Sequence, residues 1–382
     1  MPESLPQIPS FDLKRNYARV DKEIKEAIER VLSSQHFIMG PEVSAFESEV
    51  ASYLGVPHAV SCASGTDALL LALMALGVKP GDEVVTTPFS FFATASCVTR
   101  LGARPVFVDV DPDTFNISMD GVLRALTGRT KAVIPVHLFG QMCALETLEK
   151  ELRARKVAIV EDCAQAFGAH RTVDGRIMRA GAWGDFGCFS FFPTKNLGAY
   201  GDAGMVTCVS DRHGDSLARL RVHGAVTTYV HEEVGINSRM DALQAAILQV
   251  RLRHIETWIE ERREVARRYD LMFLERDLLG RITPPTEAPG NRHTYHQYVI
   301  RAERRDELHR FLADRGIVTR IYYPLSLHMQ PCFASAGCKE GDMPVSERLC
   351  REVLALPMFP ELTCDEQERI VSEIAAFYRG SK

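Results

Sequence analysis

One lysine stands alone among aromatic residues in the stretch FGCFSFFPTKNLGAYG, which runs from Phe186 to Gly201. The stretch holds five aromatic rings, and Lys195 is its only charged residue. Burial among apolar groups disfavours an ammonium ion and lowers the pKa of a lysine. Because only the neutral amine attacks a carbonyl group, this setting predicts that Lys195 is a nucleophile.

A carboxylate, Asp162, ends the apolar run VAIVED, which has the composition of a buried parallel strand. In open α/β sheets, ligands bind at the carboxyl ends of the strands. A carboxylate in that place can hold a cationic ring nitrogen, but the same position also suits an aspartate that caps a helix. The position of Asp162 alone leaves both interpretations open.

Small and hydroxyl residues precede the predicted helix DALLLALMALG in the motif SGT, Ser64–Thr66. Such a motif at a helix N-terminus can bind an anion, although simple capping is the more common explanation. Ser190 offers a further hydroxyl five residues before the lysine. Phe91 follows a strand end in TPFSFFATA, where its ring can stack on a planar ligand or pack in the core.

Together these features describe one ligand. A reactive lysine, a carboxylate for a pyridinium, a phosphate pocket and a stacking ring are what pyridoxal 5'-phosphate (PLP) requires. The carboxylate keeps the ring nitrogen protonated, and the protonated ring draws electrons from a substrate carbanion. The combination therefore predicts a PLP enzyme, although each motif has a structural explanation by itself.

The elements that must position these residues alternate between predicted strands and helices from about residue 59 onward. The predicted strands, such as DEVVTTP, TKAVIPVHLFG and KVAIVEDCAQ, contain short continuous runs rich in Val and Ile. Uninterrupted apolar runs are typical of parallel strands that helices cover on both faces. The sequence predicts an α/β fold with a mostly parallel sheet flanked by helices.

A region with a different pattern follows the sheet. Residues 240–277 have a helical pattern, which we expect to hold two helices that meet near Ile255–Glu256. After the Pro-rich TPPTEAPGNRHTYH come two predicted strands, HQYVIRA and IVTRIYYP, the helix RRDELHRFLADRG between them, and a closing helix from Asp365. We therefore predict a large domain with an N-terminal helical segment over residues 1–255, and a smaller α+β domain over residues 256–382.

Composition narrows the classes of protein. The chain has 382 residues, 46% hydrophobic and 25% charged, with a formal charge of -5 and no basic patch that would predict nucleic-acid binding. Its ten cysteines form no C-x-x-C pair, which predicts reduced thiols in a cytoplasm. Neither a signal-peptide pattern nor a membrane-length apolar run is present. His293 and His296 are three apart in a predicted strand and would face opposite sides, so we expect no metal site there.

Seven motifs, in order, resemble those of the DegT/DnrJ/EryC/StrS family of PLP-dependent nucleotide-sugar aminotransferases. They are SGTDAL, GDEVVTTPFSFFATA, PVFVDVDPDTFNI, AVIPVHLFGQ, VEDCAQAFGA, SFFPTKNLGAYGDAG and INSRMDALQAAIL. The resemblance covers nearly the whole chain, from FDLKRNY to ALPMFPELT. It implies a fold-type I PLP-transferase.

The resemblance assigns cofactor roles by position. It implies that Lys195 carries PLP covalently, that Asp162 pairs with the pyridine nitrogen and that Gln165 contacts the ring hydroxyl. The remaining cofactor contacts would come from the phosphate binders Gly65, Thr66 and Ser190 and from the stacking ring of Phe91.

Other implied residues concern the substrate and a second subunit. Asn237, in INSRMDALQAA, matches an asparagine that reaches the phosphate of the neighbouring subunit's cofactor, which implies a homodimer with shared sites. Arg239 and Tyr323 match positions near the sugar. Many relatives carry His-Tyr-Pro where this chain has Tyr322, Tyr323 and Pro324, so the resemblance gives position 322 no role.

The implied reaction moves an amino group from glutamate to the 3-keto carbon of a nucleotide sugar. The motifs are most similar to those of the branch acting on UDP-2-acetamido-2-deoxy-3-keto-glucuronate. The alternatives are a dTDP-3-keto-6-deoxyhexose aminotransferase and, from another class, a non-catalytic regulatory protein that binds PLP. A sugar 3-dehydratase would carry histidine in place of Lys195.

Overall fold

Twelve α-helices and fifteen strands lie within residues 6–380, the part of the chain that the computed structural model describes. The helices are α1 Leu13–Ala18, α2 Asp21–Ser34, α3 Pro41–Leu54, α4 Gly65–Ala75, α5 Ala93–Arg100, α6 Met119–Ala125, α7 Glu149–Ala154, α8 Asp211–Leu220, α9 Ala242–Glu275, α10 Arg305–Ala313, α11 Pro344–Glu352 and α12 Cys364–Arg379. The strands are β1 His58–Cys62, β2 Glu83–Thr86, β3 Arg104–Phe107, β4 Thr130–Ile134, β5 Ala158–Asp162, β6 His170–Val173, β7 Arg176–Arg179, β8 Phe186–Ser190, β9 Gly204–Cys208, β10 Ala225–Thr227, β11 Val230–His231, β12 Ile282–Thr283, β13 Asn291–Arg292, β14 Tyr298–Ala302 and β15 Val353–Leu356.

Seven strands form the central sheet in the order β1-β9-β8-β5-β4-β2-β3. The neighbours from β8 to β3 are parallel, and β9 is antiparallel to both β1 and β8. This arrangement confirms the predicted mostly parallel sheet. It also sets β5 beside β8 in parallel, so the ends of both strands reach the same edge.

Strand β8 shows why the sheet needs helices on both faces. Its residues Phe186 and Phe189 are both fully buried but belong to different apolar clusters, one containing α4 and the other containing α3 and the first half of α9. Alternate residues of a strand point to opposite faces, so two apolar layers form around one strand. A strand that is buried on both faces needs apolar residues at successive positions, which is why continuous apolar runs in the sequence indicate a parallel sheet.

A single helix, α9, spans 34 residues, so the expectation of two helices meeting near Ile255–Glu256 is wrong. The segment contains neither Gly nor Pro, so no residue interrupts its backbone hydrogen bonds. Its buried residues through Ile259 pack in the core beside the sheet, whereas those from Val265 onward pack in a second core. The domain boundary at residues 255 and 256 stays a prediction.

The second core lies around the three-stranded antiparallel sheet β12-β14-β15 and includes residues of α10 and α12. The segment IVTRIYYP, predicted as a strand, makes only two isolated bridges, Ile317 with Ile8 and Arg320 with Ala355. Its strand pairing stops there because the chain turns toward Pro324, whose nitrogen cannot donate a ladder hydrogen bond. Within residues 6–380, none of the helices combines the length and the apolar character needed to cross a membrane.

Candidate active site

A cavity of about 440 Å³ lies where β5 and β8 end. Its size is in the usual range for a small-molecule site. Eight of the ten residues that the sequence predicts for the site line it: Gly65, Thr66, Phe91, Asp162, Gln165, Ser190, Lys195 and Tyr323. Residues far apart in sequence therefore meet in one place.

The lysine lies on a tight loop directly after β8. The N–H of Ala199 donates to the carbonyl of Phe191 (2.7 Å), and the N–H of Lys195 donates to the carbonyl of Phe192 (2.8 Å). These bonds fold the loop back on itself, so that Lys195 lines the cavity. Burial lowers the pKa of Lys195 to about 8, and the negative charge of Asp162 opposes that shift. More of this amine is therefore neutral and nucleophilic near neutral pH than of an ordinary lysine.

Asp162 is the last residue of β5 and is only 4% exposed. Its Oδ2 accepts a hydrogen bond from Thr94 Oγ1 (2.8 Å), and its Oδ1 accepts one from the N–H of Ala164 (3.1 Å). Burial raises the pKa of Asp162, whereas these two hydrogen bonds and the charge of Lys195 lower it. The alternative of a helix cap fails because residues 163–169, all of them described, contain turns and no helix.

The N-terminus of α4 faces the same cavity. Ser64 caps the helix, since its Oγ accepts from the N–H of Asp67 (3.1 Å). Gly65 approaches Ser190 so closely that an added Cβ would lie 2.5 Å from the Cβ of Ser190, which leaves no room for a side chain. The first N–H groups of a helix have no intrahelical partner, and here they lie beside the hydroxyls of Thr66 and Ser190. This grouping has the donors that a phosphate requires.

Three further predicted residues complete the wall. The ring of Phe91 is 61% exposed and lines the cavity, so it is not a core residue. Gln165 is held at both ends: its Oε1 accepts from the N–H of Phe139 (2.8 Å), and its Nε2 donates to the hydroxyl of Tyr323 (3.2 Å). Burial raises the pKa of Tyr323, which keeps its phenol neutral.

Asn237 and Arg239 are not among the described residues that line this cavity. They precede α9, with Asn237 exposed and Arg239 half-buried. Between them, Ser238 accepts from the N–H of Ala63 (3.0 Å) and donates to the carboxylate of Asp67 (2.8 Å). These two bonds tie the loop to the start of α4.

Several residues of the site were not predicted from the sequence. Thr94 donates its only hydroxyl hydrogen to Asp162. The hydroxyl of Ser90 therefore donates to Thr94 Oγ1 (2.8 Å). His296 lies outside any strand, contrary to expectation, and lines the cavity. Burial lowers the pKa of His296 far below its usual value, so the imidazole is neutral. The local sequence does not single out Thr94, because α5 also contains the hydroxyl residues Ser96 and Thr99.

The residues of the cavity fit PLP. A partly neutral amine and a buried carboxylate share the cavity with a phosphate cradle that only glycine at position 65 permits. Lys195 would hold the aldehyde carbon and Asp162 the ring nitrogen, with Thr66 and Ser190 at the phosphate. The individual roles stay predictions.

Comparison with known proteins is consistent with this site. The model of the DegT/DnrJ/EryC1/StrS aminotransferase family matches residues 18–375. A protein of Geobacillus stearothermophilus named a pleiotropic regulatory protein is 46% identical over 97% of this chain and 99% of its own. UDP-N-acetyl-3-dehydro-alpha-D-glucosamine 3-aminotransferase of Acidithiobacillus ferrooxidans is 42% identical, with 98% of each chain covered.

Solved structures agree in fold. DesV from S. venezuelae superposes with a TM-score of 0.93 at 38% identity, covering 98% of this chain and 99% of that one. NtdA from Bacillus subtilis, solved with bound PMP, gives a TM-score of 0.89 at 29% identity over 98% of this chain and 85% of that chain. The fold is that of the fold-type I PLP enzymes.

The depressed pKa of Lys195 predicts how apoprotein captures PLP. The amine is protonated and unreactive below its pKa, so the rate of covalent capture should rise as pH increases through about 8. Stopped-flow absorbance at several pH values measures that rate. Lys195→Ala should show no covalent capture, and replacing the exposed Lys339 should change nothing. A midpoint near 10.5, the ordinary lysine value, would contradict the assignment.

Proposed function

Because the chain belongs to the DegT/DnrJ/EryC1/StrS aminotransferase family, we propose that it transfers the amino group of glutamate to the 3-keto carbon of UDP-2-acetamido-2-deoxy-3-keto-glucuronate. The chain is a PLP-dependent sugar aminotransferase. The identities of the amino donor, the sugar and the nucleotide are the parts that we propose. One observation carries the chemistry: a partly neutral lysine amine and a buried carboxylate line the same cavity.

The bound cofactor, Asp162 and Lys195 each contribute a different part of the reaction. Bound PLP supplies the electron sink for the carbanion that forms at the donor carbon. Asp162, held by Thr94 and Ala164, keeps a proton on the ring nitrogen. Lys195 would move a proton between the donor carbon and the cofactor carbon, since its lowered pKa favours the neutral amine that can accept that proton.

The names of relatives support the choice of substrate. One relative, 40% identical, is named UDP-2-acetamido-2-deoxy-3-oxo-D-glucuronate aminotransferase. The 42% identical relative acts, by its name, on the corresponding UDP-N-acetyl-3-dehydro-glucosamine. A 41% identical relative named for dTDP-3-amino-3,4,6-trideoxy-glucose supports the alternative, a dTDP-3-keto-6-deoxyhexose. An arginine such as Arg239 suits the carboxylate of a uronate, but the NSR triplet that contains it is typical of both branches and does not decide between the two sugars.

The wording of the relatives' names also supports a role in making amino sugars for polysaccharides. One relative, 33% identical, is named a spore coat polysaccharide biosynthesis protein. We propose a cytoplasmic location, supported by ten cysteines that are all free thiols, seven of them buried.

We also propose a homodimer whose two active sites are shared. Large apolar side chains are exposed on and beside the β10–β11 hairpin, among them Tyr229 at 92% and Val234 at 93%. Such exposure on one hairpin indicates a surface that another chain covers. Asn237 and Arg239 follow this hairpin and do not line the cavity of their own chain, so we propose that they reach the cavity of a second copy.

A panel of keto sugars tests the substrate. The PLP-loaded protein, first converted with glutamate, is mixed with UDP-2-acetamido-2-deoxy-3-keto-glucuronate, with UDP-N-acetyl-3-dehydro-glucosamine or with a dTDP-3-keto-6-deoxyhexose. We expect kcat/KM to be at least about tenfold higher for the uronate, since a charged hydrogen bond contributes about 1.5–3 kcal/mol. A preference for the dTDP sugar would overturn this choice. A regulator would leave the PLP absorbance unchanged when glutamate is added.

Mixing two inactive variants tests the shared sites. In a mixed dimer of Lys195→Ala and Arg239→Ala chains, one site carries both lesions and the other carries none. Equal mixing should therefore restore about a quarter of wild-type activity, because half of the dimers are mixed and each has one intact site. Mixing Lys195→Ala with Asp162→Asn should restore nothing, since both residues belong to the same chain's site. If the first mixture stays inactive after subunit exchange is demonstrated, Arg239 acts in its own chain's site.

A further inference from the structure

A second, smaller cavity of about 30 Å³ adjoins the Lys195 cavity on the side of the C-terminal region. Four residues line both cavities: Thr194, His296, Gln297 and Tyr322. Arg320 lines the smaller cavity, two residues before Tyr322. A ligand beside Lys195 therefore has Arg320 within the adjoining space.

The position of Arg320 is fixed by its backbone and not by its side chain. Its carbonyl accepts from the N–H of Ala355 (2.7 Å), and its own N–H donates to the carbonyl of Ala355 (3.0 Å). Within residues 6–380 its guanidinium makes no hydrogen bond or ion pair. Two buried arginines of α9 contrast with it, because Arg251 donates to Asn16 (2.7 Å) and Arg262 donates to three backbone carbonyls. The five donors of Arg320 are thus available to a ligand.

Gln297 has a vacant hydrogen-bonding position at the junction of the cavities. Its Oε1 is buried without any partner. Buried polar atoms in proteins nearly always have a partner, and exchanging the two ends of this amide would bury an unpaired NH₂ instead. With the two ends of the amide exchanged, the NH₂ faces this place and can donate to an oxygen of a ligand, which satisfies Gln297.

The charge of the walls selects the class of ligand. Among the described residues that line the two cavities, only Lys195 and Arg320 are cationic. The proposed function uses the amine of Lys195 for PLP and for proton transfer. Burial raises the pKa of Tyr322, so its phenol is neutral, and burial lowers that of His296, so its imidazole is neutral. Arg320 is then the remaining positive charge that one chain's own walls offer to an anionic group of the substrate.

We propose that Arg320 and Gln297 form a carboxylate-binding subsite next to Lys195. The planar fork of a guanidinium matches a carboxylate with two parallel hydrogen bonds, and Gln297 offers a further donor. The inference rests on the proposed function, which supplies two sources of this group. The carboxylate belongs either to the amino donor or to carbon 6 of the uronate.

Binding measurements on the PLP-loaded protein test the subsite without turnover. Arg320→Gln is compared with wild type and with Arg310→Gln, which changes an exposed arginine of the same region that makes no side-chain ion pair among the described residues. Three probes are titrated by calorimetry: glutarate, UDP-2-acetamido-2-deoxy-glucuronate and UDP-N-acetylglucosamine. Arg320→Gln should raise the Kd of glutarate, of the uronate or of both by about 10- to 100-fold, since a charge-assisted pair is lost. UDP-N-acetylglucosamine and the Arg310 variant should bind as before.

The three probes distinguish the two sources of the carboxylate. Loss confined to glutarate identifies the donor carboxylate, and loss confined to the uronate identifies the sugar carboxylate. Equal weakening of both nucleotide sugars would place Arg320 at the diphosphate and overturn the proposal, as would unchanged binding of all three probes or no binding of glutarate and the uronate to wild type. Arg320→Lys should recover part of the affinity, because charge returns without the fork.

Two controls show whether a change in Kd reflects unfolding of the variant or failure of the proposed function. The melting temperature of Arg320→Gln should equal that of wild type, because the side chain is exposed and unpaired in the free protein. Gln297→Leu should weaken the same probe as Arg320→Gln. If glutamate fails to change the PLP absorbance while glutarate still depends on Arg320, the proposed function fails and the subsite remains.

Discussion

The site depends on one electrostatic interaction, that between the amine of Lys195 and the carboxylate of Asp162 in the same cavity. Burial lowers the pKa of the amine and raises that of the carboxylate, and the charge of each partner opposes the shift of the other. Hydrogen bonds from Thr94 and Ala164 favour the ionised carboxylate. The parallel pairing of β5 with β8 brings both groups to one edge of the sheet, and most other features of the site serve to keep them there.

The opposite wall comes from the C-terminal region, whose residues His296, Gln297, Tyr322 and Tyr323 complete the cavity. Helix α9 packs in both cores, and its Arg262 donates to the carbonyl of His296 (3.4 Å), which links the wall to the helix. The sheet therefore supplies Lys195 and Asp162, and the C-terminal region contributes polar side chains to another wall of the same cavity.

The sequence predicted the parallel sheet well, because buried strands such as β5 and β8 need apolar residues on both faces. It also singled out Lys195, an isolated charge among aromatic residues, and Asp162, which ends an apolar strand; both line the cavity, and their roles stay predictions. For Gln165 the role came only from the resemblance to a family, and for Phe91 the local sequence left stacking on a ligand and packing in the core both open. The sequence failed where contacts are distant: Thr94 meets Asp162 across 68 residues, and His296 lies 3.3 Å from Asn196 across 100 residues. The local sequence pattern also led us to expect two helices where the single helix α9 packs against both cores without a break.

The most direct test of the central pair is the reaction of Asp162→Asn with glutamate, followed by the absorbance of bound PLP. The substitution keeps the shape of the side chain and removes its charge, so Lys195 should still bind PLP covalently. The absorbance change on adding glutamate should slow by about 10- to 100-fold or more, because a charged hydrogen bond to the ring nitrogen is lost. A variant that binds PLP and reacts at the wild-type rate would contradict the account and leave Asp162 as a structural residue.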